Sequence, residues 1–141
     1  MKRVAKKKAE PDESGRKAVM RVLFRSFGKL AEQAAGGRPQ LRGLRVAQDP
    51  VADRFVVVQQ NSRVEFVLRI HDDAEPPHAD VECRRLDSAG ATEEASIAHI
   101  RFNEAGVVTQ STVPELVDER IDQPQAAWSF VAAVMWNAMM A

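Results

Sequence analysis

Apolar positions along this chain change their period several times, and each change marks an element. Met20, Leu23, Phe24, Phe27, Ala31 and Ala34 recur at three- and four-residue steps, the stripe of an amphipathic helix from Ser14 to Ala35. Asp12 or Ser14 is placed to cap its start, and Gly36-Gly37 followed by Pro39 is a strong stop. Gly28 interrupts the run at a cost of about 1 kcal/mol relative to alanine, which predicts close approach by a neighbouring element.

The period then shortens to two. Leu41 to Gln48 reads as a weak first strand, and the β-branched run Phe55-Val56-Val57-Val58 as a strand buried on both faces. A tight turn over Gln60 to Arg63 leads into Val64 to Ile70. There Val64, Phe66, Leu68 and Ile70 alternate with polar Glu65 and Arg69, which predicts one wet face. His71 to Ala79 reads as a polar loop broken by Pro76-Pro77. Val81, Cys83 and Arg85 share a face of the next strand, and 87–95 is loop by composition. Ser96 to Phe102 forms a strand, turns at Asn103 to Gly106, and pairs with Val107 to Thr112.

The last element has no polar face. Asp122 is placed as cap and Pro124 in the first turn of a helix whose sixteen residues from Ala126 to Ala141 include only Ser129 and Asn137 as polar side chains. A helix that is apolar all round is normally covered all round. The expected fold is α+β: an N-terminal helix, an antiparallel meander of about five strands, and an apolar C-terminal helix, with both helices on one sheet face. One domain over 14–141 follows, behind a disordered basic tail over 1–13 that has too little apolar surface to offset its ordering entropy.

Charge changes this picture in one respect. The net charge is zero, yet residues 1–60 carry fourteen Lys and Arg against six Asp and Glu, and residues 61–141 reverse those numbers. Lys17, Arg21, Arg25 and Lys29 recur every fourth residue on the first helix, a basic stripe able to meet phosphates together with the tail. The stacking aromatics of single-strand binders are missing, because Phe24 and Phe27 belong to the apolar stripe. A single cysteine, Cys83, excludes an internal disulfide, and no signal-peptide-like run follows the basic start. A cytoplasmic location is the expectation.

Candidate chemistry is sparse. His71, Asp73, His78 and Asp80 crowd one ten-residue segment, with His99 on a nearby strand, and imidazole with carboxylate suits zinc, manganese or iron. Their spacing matches no metal template, so a solvated acidic loop is the competing reading. Cys83 alternates with charged residues and reads as a small core residue, although a thiolate–imidazole pair with a histidine is the chemical alternative. No nucleophile turn or glycine-rich phosphate loop is present, and no catalytic residue or cofactor is assigned.

Three functions follow. The first is a non-enzymatic protein-binding module, adaptor or chaperone-like, acting through the apolar C-terminal helix or the open sheet face. It is expected to be a homodimer or to take a protein partner, with Trp128, Phe130, Val134, Trp136 and Met139 at the interface. The second is nucleic-acid binding through the basic tail and first helix. The third is a small metal-dependent enzyme centred on residues 71–80. No membrane span is expected, since the terminal run is shorter than about 20 apolar residues.

Overall fold

A computed structural model describes residues 15–140. The apolar stripe forms helix α1 (Gly15–Gly37), with Met20, Leu23, Phe24, Phe27, Ala31 and Ala34 buried. Six antiparallel strands follow in sequence order: β1 (Arg45–Asp49), β2 (Arg54–Gln59), β3 (Ser62–His71), β4 (His78–Leu86), β5 (Thr92–Asn103) and β6 (Val108–Ser111). Helix α2 (Pro124–Met140) closes the fold. The fold is α+β, with α1 and α2 side by side on one face of the sheet.

Cross-strand register explains why the helices take that face. Phe55, Phe66, Cys83 and Ala98 stand opposite one another across β2 to β5, and Leu68, Val81 and Ile100 form a second row. All seven are buried. Phe24, Phe27 and Phe130 join Phe55 and Phe66 in one ring cluster, in which Phe55 stacks on Phe66 at 4.8 Å between centroids and Phe130 of α2 meets Phe66 edge-on at 6.2 Å. Burying each ring stabilises the fold by about 1.5–3 kcal/mol before entropy is counted. Positions one residue out of phase, such as Arg54, Glu65, Val67, Arg69, Asp80, Glu82 and Arg101, lie on the opposite, open face.

Gly28 behaves as its sequence position implies: a Cβ there would come within 2.8 Å of Gln48 Nε2 and 3.2 Å of Phe55, so α1 lies close against β1 and β2. Gly106 supplies the positive φ (85°) of the β5–β6 turn.

Several expectations change. There are six strands where about five were expected. The first strand begins only at Arg45, because Leu41 ends a short 3-10 turn over Pro39–Leu41 and is buried from there. Val56 and Val58 are only partly covered, since no helix among the described residues packs on the open face. The segment 71–79 is not all loop: His71 ends β3 and pairs with His78, which begins β4. Residues 92–95 extend β5, with Thr92 opposite Leu86. Asp122 does not cap α2. Its carboxylate accepts from Nε and Nη2 of Arg120 at 3.0 and 2.9 Å, and the Gln123 carbonyl accepts the first helical bond, from the Ala127 N–H. The 1–13 tail and the proposed caps Asp12 and Ser14 lie outside the described residues.

Candidate functional site

Helix α2 divides its apolar side chains between the core and the outside. Ala127, Phe130, Val131, Val134 and Met135 are buried beneath it. Trp128 is half-buried and leans on α1, donating its indole N–H to the Leu30 carbonyl at 2.7 Å. Of the five side chains expected at an interface, Phe130 and Val134 are therefore taken up inside the domain, and Trp128 is shared with α1. Trp136 is 62% exposed and Met139 38%, and Met140 beside them is 66% exposed. The side chains of α2 that face solvent thus include a tryptophan and two methionines.

Next to this strip lies an apolar groove of about 500 Å³ between α2 and the 3-10 turn before β1, lined by Leu41, Gln59, Ala132, Ala133, Trp136 and Met139 among others. Ala132 and Ala133 stand one turn before Trp136, so small residues form the hollow and a large one forms its rim. Gln59 is only 3% exposed. Its Nε2 donates to the carbonyls of Gln40 and Arg42 at 2.8 and 3.3 Å, while its Oε1 has no partner. The groove was not legible in the sequence, because it depends on Leu41 and Gln59 meeting a helix more than seventy residues further along.

A second cluster occupies the open sheet face at the β3–β4 hairpin. Asp80 Oδ1 accepts from Arg101 Nε at 2.8 Å and lies 2.9 Å from His99 Nε2, while Oδ2 lies 3.2 Å from His71 Nε2. Burial raises the Asp80 pKa, but the hydrogen bonds and charges of Arg101 and His99 outweigh it and hold the carboxyl below its ordinary value. The rings of His71 and His78 are 5.0 Å apart. His71, His78 and Asp80 come together with His99, whereas Asp73 lies exposed in the turn and outside the group. Arg101 was missed in the sequence, although it shares a strand face with His99.

Along α1, Arg25 and Lys29 of the basic stripe are exposed. Arg21 is committed to Asp53, with Nε 2.9 Å from its carboxylate, and Lys17 is partly covered. Cys83 is fully buried on the helix-facing side of the sheet, opposite to the face of the histidine cluster, so it forms no thiolate–imidazole pair with them. Burial, helped by the charge of Glu82, pushes its thiol well above the usual range.

No protein-family model, curated protein or solved structure is significantly similar to this chain. No helix among the described residues is long and apolar enough to cross a membrane.

Proposed function

We propose that this chain is a non-enzymatic protein-binding module that pairs with a second copy of itself through the outer strip of α2. The observation that carries this reading is Trp136, 62% exposed on the rim of an apolar groove. An exposed tryptophan flanked by Met139 and Met140 has the composition of an interface core, where aromatic residues and methionine are enriched. A two-fold pairing makes use of both the rim and the groove of this strip. In a two-fold contact each copy sets its Trp136 against the hollow over Ala132 and Ala133 of the other, so both knobs and both hollows are filled at once.

Sedimentation of the purified chain tests this. A dimer is expected at about 50 µM, the range in which a contact of modest affinity persists. Trp136→Asp is expected to give a folded monomer with unchanged circular dichroism, because the side chain is exposed within one chain and its carboxylate is costly only when a partner covers it. A wild-type protein that stays monomeric at that concentration rules the reading out.

A further inference from the structure

All three histidines of the chain gather around one carboxylate. The topology brings this about. His71 and His78 are directly opposite at the turn end of the β3–β4 hairpin, and Asp80 is two residues along β4 from His78, hence on the same face and diagonal to His71. Each of these three residues offers a ligand atom, and those atoms all lie within 4.8 Å of one another.

We propose that His71, His78 and Asp80 bind one divalent transition-metal ion of the zinc and cobalt class. Two imidazoles and a carboxylate form the donor set that such ions prefer over magnesium or calcium. The separation of 3.2 Å between His71 Nε2 and Asp80 Oδ2 suits a shared ion, since two ligands at 2.0–2.1 Å from a tetrahedral centre stand about 3.3 Å apart.

The surrounding bonds prepare these atoms. His78 Nδ1 lies 3.0 Å from the Pro76 carbonyl, which can only accept. Nδ1 is therefore the donor, and in the neutral ring this leaves the Nε2 lone pair for a ligand. A backbone carbonyl on the second ring nitrogen is the usual support of a metal-binding histidine. Asp80 Oδ1 takes the bonds from Arg101 Nε and His99, and Arg101 Nη2, at 3.4 Å from Oδ2, is a longer contact that competes there. His71 binds an ion through Nε2 only with that nitrogen deprotonated: a neutral ring then carries its one proton on Nδ1, and a doubly protonated ring releases its Nε2 proton to solvent as the ion enters.

The Arg101 guanidinium opposes a cation. It lies mainly against Oδ1, and the turn that follows His71 carries three carboxylates, Asp72, Asp73 and Glu75, close in sequence to the ligands. Three protein ligands leave at least one coordination position for water, so the site is of the open type and not a closed structural centre. It lies on the sheet face opposite the helices and is independent of self-association through α2.

Untagged full chain, stripped with chelator, is titrated with Zn²⁺ by calorimetry and with Co²⁺ by visible absorption at neutral pH. One equivalent is expected, with Co²⁺ giving the intense visible bands of a low-coordinate site. His71→Ala and His78→Ala are each expected to weaken binding at least tenfold. His71 is exposed and His78 only partly covered, so circular dichroism of the variants should match the wild type. An absence of saturable binding overturns the proposal, as does one-equivalent binding that survives both substitutions.

Discussion

The Trp128 indole N–H reaches the Leu30 carbonyl at 2.7 Å, and this bond joins the two helices on the covered face of the sheet. The second tryptophan, Trp136, two turns further along α2, is 62% exposed. One residue type thus has two physical roles in one helix. Trp128→Phe keeps most of the apolar contact and removes the donor, so it should cost about 1 kcal/mol of stability. Trp136→Phe should change the unfolding free energy of dilute protein by less than about 0.5 kcal/mol. Urea denaturation of the two variants side by side checks the contrast.

The two adjacent glycines at the end of α1 provide a similarly sharp comparison. A Cβ on Gly37 would lie 2.4 Å from Cζ3 of Trp128, whereas one on Gly36 would meet nothing within 4 Å. Gly37→Ala forces the indole aside and should destabilise the domain by about 1–3 kcal/mol, with a shift in tryptophan fluorescence. Gly36→Ala should be neutral or stabilising by up to about 1 kcal/mol, from helix propensity alone.

Cys83 makes stability depend on alkaline pH. The unfolded thiol ionises near about 8.5, while burial, with the charge of Glu82, keeps the folded one protonated well above that. Above that pH the unfolded state binds fewer protons than the native state, so stability falls as pH rises. The slope from this group approaches about 1.4 kcal/mol per pH unit. Wild type should therefore lose more stability between pH 8 and 10 than Cys83→Ala does, even though the variant is weaker at pH 8 from its small cavity. Equal losses would show that the thiol ionises alike in both states. The folded protein should also resist thiol reagents at neutral pH.

The sequence pattern reached the fold wherever burial repeats at a fixed step. The α1 stripe and the alternation from Val64 to Ile70 each name their own buried face. It was weaker where pairing decides the state of polar residues. Thr92 to Ala95 carry little apolar surface, yet they belong to β5, with Thr92 opposite Leu86 and Ser96 opposite Arg84. Likewise, the crowding of His71, His78 and Asp80 was visible as composition. Which of the neighbouring carboxylates joins the histidines was not, because it depends on strand phase: Asp80 falls on the histidine face of β4, and Asp73 falls in the turn. The divided character of α2 was hidden for a related reason. Its sequence is apolar on every side, so only the positions of the sheet and α1 separate buried Phe130 and Val134 from exposed Trp136.

Self-association through Trp136 has a consequence in thermal unfolding as well as in mass. A partner that binds only the native chain stabilises it in proportion to the logarithm of its concentration. For a dimer that dissociates as it unfolds, raising the concentration twentyfold, from about 5 to about 100 µM, should therefore raise Tm by several degrees for a domain of this size. Trp136→Asp should abolish that dependence and leave one Tm at both concentrations, close to that of the dilute wild type, because the exposed indole contributes little within a single chain. Met140→Asp, on a neighbouring exposed residue, should reduce the dependence if the contact spans the strip. A Tm that rises equally with concentration in wild type and Trp136→Asp would assign the association to another surface, and the edge strand β1 would become the place to look for it.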